Sequence, residues 1–398
     1  MDFHDRPEDV QFRSTLRRWL AEHVPAFGTP PHELQARLAW WRPWQKLLHD
    51  AGYTGLAWPR EFGGRGATVL QQAIFYEECD FAGAPDRLDV IGSGFAGPTL
   101  IEHGTPEQKA RFLDPILTGE SLWCQLFSEP GAGSDLAALR TRAEKVEGGW
   151  RIHGQKVWTS AAQLADHAIL LARTTDASAA AAAGRPRHFG ISYFLLPMRQ
   201  SGVEVRPLRQ MLGSAEFNEV FLDGAFVPDD MMVGAIDQGW KVAMSTLGYE
   251  RVAIATGRVN LLRVLDDLQA LVRETRDAEG RPLGADPVVR QKIAELYSRI
   301  ALQRLTGKRI LSGMAAGAAP GPEASTAKLF TTPLVEDVCD FALSVMGLAG
   351  QTEPGKGSAQ QARWLRLAYQ ARGSSIAGGT GFVQRNILAE RVLGLPRS

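Results

Sequence analysis

The sequence predicts a protein of the α+β class with three domains in the order helical, β, helical. Three observations predict this class. The chain has 398 residues, more than one simple hydrophobic core usually holds. Residues 1–120 and 236–398 carry apolar side chains at helical spacing, whereas residues 121–235 alternate short apolar runs with turn residues. We therefore expect domain boundaries near residues 120 and 235.

The composition is ordinary for a globular protein, with 44% hydrophobic and 22% charged residues. Lysine plus arginine equals aspartate plus glutamate, 44 each, which argues against a nucleic-acid or membrane partner. The three cysteines, at 79, 124 and 339, show no metal or disulfide spacing. The polar N-terminus is not a signal peptide, and no apolar run reaches the roughly 20 residues of a membrane span. We expect a cytoplasmic protein without a metal site.

The N-terminal domain is expected to contain several helices. Apolar residues recur at helical spacing from about residue 7, and a second helix covers Glu33–Ala51 before Gly52. A third helix is predicted over Thr68–Cys79. Thr105 is the predicted N-cap of a later helix, with Pro at its first position and Gln at its third.

Residues 92–97, Gly-Ser-Gly-Phe-Ala-Gly, match the dinucleotide-binding pattern G-x-G-x-x-G. That motif requires a preceding strand and a following helix and strand within a βαβ unit. Pro98 follows at once and the next residues begin a helix, so we reject a dinucleotide fold here.

The middle domain is expected to be an antiparallel sheet or small barrel. Asp176–Arg187, with its alanine run, is predicted to be a mobile surface loop. The predicted strands are Trp123–Phe127, Arg140–Val146, Trp150–Trp158, His167–Arg173, Gly190–Pro197, Val203–Pro207 and Glu219–Leu222.

The C-terminal domain is expected to consist of long helices. The predicted helical segments are 238–276, 286–316, 323–346, 358–372 and 382–393.

The stretch Trp123–Asp135 joins a short apolar run to a turn that contains Pro130, Gly131 and Gly133. Such a turn can direct several backbone N–H groups at a polar ligand. A simple connecting turn is the competing interpretation.

Trp158 and Ser160 lie two residues apart in a predicted strand, so both side chains should face the same way. Together they offer an aromatic face and a hydroxyl to a flat heteroaromatic ring. A core tryptophan beside a serine at the strand end is the competing interpretation.

Glu250 lies in a predicted helix, and its neighbours at i−7, i−4, i+3 and i+7 are all small: Ala243, Thr246, Ala253 and Gly257. No cation stands three or four residues away, so an intrahelical ion pair is absent. A carboxylate on an apolar groove would have a raised pKa and suit a general base. An ion pair with another helix is the competing interpretation.

Two further segments offer phosphate contacts. Arg276 lies in a basic, turn-ended segment, and a solvated charged loop is the competing interpretation. Gly373–Asn386 is a glycine-rich turn that opens a helix, and helix N-termini favour phosphates.

Several motifs together resemble the acyl-CoA dehydrogenase family over nearly the whole chain. The strongest is Glu-Pro-Gly-Ala-Gly-Ser-Asp at 129–135, followed by Lys-Val-Trp-Thr-Ser at 156–160. Gly-Thr-Pro-Glu-Gln-Lys at 104–109 and Gly-Trp-Lys-Val-Ala at 239–243 agree with them. The resemblance implies an N-terminal helical domain, a middle β-barrel domain and a C-terminal four-helix bundle.

The resemblance implies FAD as cofactor and an acyl-CoA thioester as substrate. Trp158 would pack on the flavin, Ser160 would contact its edge, and Arg276 would reach the FAD pyrophosphate of a neighbouring subunit. Ser134 would also lie near the CoA pantetheine, and Tyr249 and Arg251 near the substrate. The residues assigned to FAD are Gln125, Phe127, Ser128, Ser134, Trp158, Thr159, Ser160, Arg276, Gly379 and Thr380.

The implied reaction is α,β-desaturation: a carboxylate removes the Cα proton while hydride leaves Cβ for the flavin. Many members carry the base in a Tyr-Glu-Gly-Thr motif, but this chain has Gly378 at that position. Isovaleryl-type members place the glutamate in the first helix of the C-terminal domain, followed by arginine. Glu250 and Arg251 match that arrangement, so Glu250 is the predicted base.

A second departure is Ser-Val-Met-Gly-Leu-Ala-Gly at 344–350, where the family usually has Gln-x-x-Gly-Gly-x-Gly. With other altered segments, this resembles bacterial steroid side-chain acyl-CoA dehydrogenases, which are often α2β2 assemblies. An electron-transfer flavoprotein or similar acceptor and a homodimer, homotetramer or α2β2 assembly are the implied partners. A non-catalytic FAD-holding subunit and a flavin oxidase or monooxygenase are the competing functions.

Overall fold

The computed structural model describes residues 6–31, 33–87, 90–211, 213–255, 261–317, 321–352 and 359–396. The side chains of residues 250–255, 323 and 359 lie outside that description. Within the described residues, no helix is both long and apolar enough to span a bilayer.

Helices make up most of the described chain outside the middle segment. Their bounds are α1 (Pro7–His23), α2 (Leu34–Asp50), α3 (Val69–Ala82), α4 (Gly97–His103), α5 (Pro106–Thr118), α6 (Ala177–Ala182), α7 (Gly239–Ala255), α8 (Leu261–Glu274), α9 (Pro287–Ala315), α10 (Ser325–Met346), α11 (Ala359–Ser374) and α12 (Gly381–Arg391).

The strands all lie between α5 and α7 and form one sheet in the order β6-β7-β3-β2-β4-β5-β8, with β1 beside β4. Their bounds are β1 (Trp123–Leu126), β2 (Arg142–Val146), β3 (Gly149–Ser160), β4 (His167–Arg173), β5 (Ile191–Pro197), β6 (Val203–Leu208), β7 (Phe217–Pro228) and β8 (Met232–Val233).

The pairing is mainly antiparallel, as predicted, but β4 pairs in parallel with both β1 and β2. The predicted strand 219–222 was too short, because β7 continues to Pro228. Gly224 has a positive φ of 73°, and the register with β3 shifts nearby, between Ile152 and His153. The irregularity bends the strand without ending it.

The chain forms two compact units. One unit takes Pro25–Ala67 and Pro85–Glu250, and the other takes Met1–Val24, Thr68–Ala84 and Arg251–Ser398. The predicted domain boundaries near residues 120 and 235 stay predictions.

The sheet-containing unit has one continuous apolar core. It joins Trp58, Leu100 of α4 and Val242 of α7 to the buried strands β1 and β4. Ile169 and its neighbours in β4 are fully buried, which explains the unbroken apolar run of that strand.

In the other unit, four helices surround a second core. Leu268 of α8, Leu296 of α9, Val338 of α10 and Ala368 of α11 are all buried there. This arrangement confirms the expected C-terminal helical bundle. The expected single helix over 238–276 is two described helices, α7 and α8, and residues 256–260 lie outside the description.

The G-x-G-x-x-G segment is helical, so its rejection as a dinucleotide motif is confirmed. Gly92–Ala96 forms one π-helical turn that leads directly into α4. A Cβ at Gly97 would lie 1.9 Å from the Trp58 ring, so this glycine is required for close packing.

Two local predictions have different outcomes. Thr105 and Gln108 form the expected capping box at the start of α5, each side chain bonding the other's backbone N–H. The loop predicted over Asp176–Arg187 was partly wrong, because its alanine run forms α6. Asp176 caps that helix by accepting from the N–H of Ser178.

The turn after β1 is fixed to β3 by a buried ion pair. Glu129 Oε1 lies 2.9 Å from Lys156 Nζ. The carboxylate also accepts from the backbone N–H groups of Arg140 (2.6 Å) and Thr141 (2.9 Å). Lys156 Nζ donates to the Phe127 carbonyl oxygen at 3.1 Å. This pair therefore joins the end of β1, the start of β2 and the middle of β3.

The protonation of this pair follows from burial and mutual attraction. Burial raises the pKa of Glu129, but Lys156 and the N–H donors outweigh it, so the pKa lies below its ordinary value. Burial lowers the pKa of Lys156 to about 8, and the Glu129 carboxylate opposes that shift. Both groups are therefore mainly charged at neutral pH.

We expect Glu129→Gln to lower the free energy of unfolding by about 3–5 kcal/mol, because it leaves a buried ammonium without its counter-charge. Glu129 stabilises the folded state fully above pH 4.5, its pKa in the unfolded chain, and this stabilisation is lost as the pH falls through its lower pKa in the folded state. The difference in unfolding free energy between wild type and variant should therefore shrink below pH 4.5. Urea unfolding at several pH values measures both effects.

Glu144→Gln is the matched control, since it breaks the exposed Arg142–Glu144 pair. It should change the free energy of unfolding far less than Glu129→Gln does, because water screens an exposed pair. Equal losses in the two variants would contradict a structural role for the buried pair.

Candidate functional site

The two sequence segments singled out for a flat ligand meet in the structure. Val157 N donates to the Ser128 carbonyl oxygen at 3.0 Å, beside the Lys156–Phe127 contact. Phe127 is buried, and Gln125 and Ser128 are half-buried. The turn after β1 and the end of β3 therefore form one rigid edge of the sheet.

Trp158 is the most exposed large aromatic side chain at this edge, with 63% of its surface accessible. Its φ is +61°, and the register of β3 with β7 shifts between Lys156 and Thr159. Trp158 and Ser160 are both exposed while Thr159 between them is buried, as strand alternation predicts. The bulge turns the indole outward, where its edge-on contact with Phe217 supports it (6.2 Å between ring centroids).

These residues fit a flavin. The Thr159 Oγ1 hydroxyl is buried and has no hydrogen-bond partner among the described residues. That hydroxyl lies on the buried side of β3. The outward aromatic face of Trp158 and the exposed Ser160 hydroxyl share the other side and suit the face and edge of a polar ring system.

The turn at 129–135 has fewer free amides than expected. The N–H groups of Glu129 and Ala132 each bond the other residue's carbonyl oxygen at 3.0 Å. Ser134 is exposed, and Asp135 forms an ion pair with Arg187 at 2.9 Å. Ser134 therefore stands open at the tip of a turn whose base is fixed.

Three predicted cofactor residues lie in the unit that contains α1, α3 and α8 to α12, called the helical unit from here on. Arg276 is exposed, and its guanidinium donates to the Arg273 carbonyl oxygen at 2.7 Å. Thr380 caps α12 by accepting from the N–H of Val383. Gly379 has a φ of +85°, which favours glycine at this turn. Their roles toward FAD stay predictions.

The predicted base lies on α7, but the side chains of Glu250 and Arg251 are outside the described residues. Of the small residues predicted on the same face, Ala243 and Thr246 are buried. Tyr249, predicted to lie near the substrate, donates its hydroxyl to Glu102 Oε2 at 2.6 Å. Burial and then the Glu102 carboxylate raise the pKa of this hydroxyl.

Sequence reasoning missed two sets of polar contacts. The first is the Glu129–Lys156 pair, for which the available signal is a lysine in phase with the buried Trp150 and Ile152 of β3. The second is a group of buried hydroxyls on Thr99, Tyr193 and Thr246. The sequence separations are so large that no local pattern reveals these contacts.

Acyl-CoA dehydrogenase domain profiles match almost the whole chain. The N-terminal domain matches residues 6–120, the middle domain residues 124–225 and the C-terminal domain residues 237–393.

Named relatives agree with the profiles. Acyl-CoA dehydrogenase IpdE1 of Mycobacterium tuberculosis is 40% identical over 399 residues, covering 98% of this chain and 99% of that protein. A chain of the ChsE4-ChsE5 complex from Mycobacterium tuberculosis superposes with a TM-score of 0.86 at 30% identity and full coverage of both chains. A chain of the Tcur3481-Tcur3483 steroid acyl-CoA dehydrogenase gives a TM-score of 0.84 at 29% identity, again with full coverage.

The family is FAD-dependent, and the exposed Trp158 face with the Ser160 hydroxyl on the same side of β3 fits that cofactor. The full-length match, the order of the three domain profiles and the shared fold lead to one conclusion: this chain belongs to the acyl-CoA dehydrogenase family of flavoprotein oxidoreductases.

Proposed function

We propose that this protein desaturates a steroid-derived acyl-CoA thioester to the trans-2-enoyl-CoA, with Glu250 as the base. The edge of β3 at Trp158 and Ser160 carries the proposal, because it presents an exposed aromatic face and a hydroxyl beside a turn that a buried ion pair holds to the same strand. Steroid chemistry is supported by the neighbour named as a steroid acyl-CoA dehydrogenase.

Each predicted site residue has a separate role in the proposed reaction. FAD, when bound, would supply the acceptor for the hydride that leaves Cβ of the substrate. Trp158 would support the flavin ring, Ser160 would offer its hydroxyl to the ring edge, and Gln125, Phe127 and Ser128 would form the neighbouring wall, with Thr159 holding the strand between them. Ser134 offers a hydroxyl to the pantetheine. Glu250 removes the Cα proton, a weakly acidic proton that needs a base shielded from water.

Glu250 is the proposed base because the other family position cannot serve. That position is Gly378, which has no side chain, in the turn before α12. Glu250 lies in α7, and Ala243 and Thr246, on the two turns of that helix before it, are buried. A helix anchored in the core gives a base a fixed position.

A second function, a non-catalytic FAD-holding partner, is favoured by one observation. The altered segment at 344–350 contains Gly347 with a φ of +57°, and Leu348 beside it is 84% exposed. This surface suits a related chain, as in the heteromeric neighbour. The α2β2 assembly, the flavoprotein electron acceptor and the cytoplasmic location stay predictions.

Glu250→Gln should keep FAD bound and slow flavin bleaching by substrate by roughly 100- to 10,000-fold, the range that a general base contributes. Anaerobic stopped-flow absorbance measures that rate. Glu274→Gln, an exposed glutamate at the end of α8, is the control and should bleach normally. Normal bleaching by Glu250→Gln would exclude Glu250 as the base.

Trp158→Ala should weaken FAD binding by roughly 2–12-fold, the equivalent of about 0.5–1.5 kcal/mol for an aromatic stacking contact. Titration of the apoprotein with FAD, followed by flavin fluorescence, measures the change. Trp19→Leu in α1 is the control, because Trp19 stacks on His23 in the helical unit. An unchanged affinity and flavin spectrum in Trp158→Ala would place the flavin elsewhere.

Anaerobic titration with a panel of thioesters tests substrate and role together. The panel contains butyryl-, isovaleryl-, octanoyl- and palmitoyl-CoA and the CoA thioester of a steroid-ring propionic acid. We expect the steroid thioester to bleach the flavin fastest with the chain expressed alone. Faster bleaching by a linear thioester would contradict the substrate, and bleaching only after addition of a related chain would support the partner function.

A further inference from the structure

Helix α7 is tied to α4 and β5 by a buried group of three hydroxyls. Thr246 Oγ1 lies 2.8 Å from Thr99 Oγ1 of α4 and 3.2 Å from the Tyr193 hydroxyl of β5. Thr246 also donates to the Val242 carbonyl oxygen at 3.1 Å. All three side chains are at most 1% exposed.

The donors and acceptors of this group fix its arrangement. A hydroxyl has one hydrogen and two lone pairs. Because Thr246 donates its one hydroxyl hydrogen to the Val242 carbonyl oxygen, it accepts hydrogen bonds from both Thr99 and Tyr193. Thr246 is thereby saturated, and its hydroxyl joins two other elements of the same unit at one buried point.

A second contact between α4 and α7 lies one turn further along. Glu102 of α4 accepts from Tyr249 at 2.6 Å and from Ser245 at 3.1 Å. Ser245 in turn lies 2.8 Å from His103 Nε2. Helices α4 and α7 are therefore joined by two sets of hydrogen bonds one turn apart. The first set is fully buried and the second is half-exposed.

We propose that Thr246, held by Thr99 and Tyr193, is a positioning residue for proton removal by Glu250. Glu250 follows Thr246 by four residues, about one turn and roughly 6 Å along the helix axis. The proposal rests on the assignment of Glu250 as base. Thr246 touches no reacting atom and acts through the placement of the backbone that carries the base.

The expected size of the effect follows from the geometry of proton transfer. Displacing a reacting group by about 1 Å can cost roughly 100-fold in rate. Thr246→Val keeps the shape of the side chain but leaves the Tyr193 and Thr99 hydroxyls without their shared acceptor. Those hydroxyls must then find other partners, and the turn of α7 moves with them.

The test compares Thr246→Val and Thr246→Ser with wild type, all as FAD-loaded protein. The first readout is the rate of flavin reduction by the fastest thioester of the panel. The second uses the analogue of that thioester with sulfur at C3, which can lose its Cα proton but has no hydride to give. Its deprotonation is read from the long-wavelength absorbance band as a function of pH.

We expect Thr246→Val to lower the reduction rate by roughly 10–100-fold with FAD content and KM within about twofold. The pH midpoint for Cα deprotonation of the analogue should rise by about one unit or more, since one unit is a tenfold change. Thr246→Ser, which keeps the hydroxyl, should match wild type. Thr54→Val, a buried threonine near His49 in the same unit, is the control and should leave both readouts unchanged.

The outcomes separate this inference from the assignment of the base. A lower melting temperature of Thr246→Val with an unchanged rate and midpoint would overturn the positioning role. A loss that Thr246→Ser shares would overturn it too. Loss of bleaching in Glu250→Gln with normal Thr246→Val overturns only the inference, whereas normal bleaching in Glu250→Gln overturns the proposed function itself.

Discussion

The buried pair of Glu129 and Lys156 is the contact on which the candidate site depends. One carboxylate satisfies the ammonium of β3 and two backbone N–H groups at the start of β2. Charged groups are expensive to bury, and a pair so well satisfied holds its three segments in one arrangement. The pair anchors Lys156, two residues before Trp158, and the bulge that follows turns the indole outward.

At α7, as at β3, buried residues hold an element that carries a residue with a proposed chemical role. Thr246 and Ala243 are packed into the core, and the proposed base follows on the next turn. In both places a polar contact inside the unit holds an element that carries a proposed site residue. Such supporting contacts give a functional group its position without touching the substrate.

Much of this architecture could be predicted from sequence, because it depends on local patterns. Helical spacing, capping residues and strand alternation located α2, α5, β4 and most other elements within a few residues. The misses have physical causes: the strand predicted to end at Leu222 continues through Gly224 to Pro228, and an alanine run after a capping aspartate forms α6. The edge at Trp158 followed from side-chain alternation, whereas the partners of Lys156 and Thr246 come from distant segments that no local pattern connects.

The composition of the helical unit has a consequence for the order of events during synthesis. That unit contains α1 and α3 from the start of the chain together with α8 to α12 from its end. Arg13 and Arg304 both bond Glu77 of α3, so helices far apart in the chain share one acidic residue. The ribosome releases the first helices long before their partners exist, whereas the β-sheet can pair as soon as β8 emerges. The sheet-containing unit can therefore form while the chain is still growing, and the helical unit closes only after translation of its last helices.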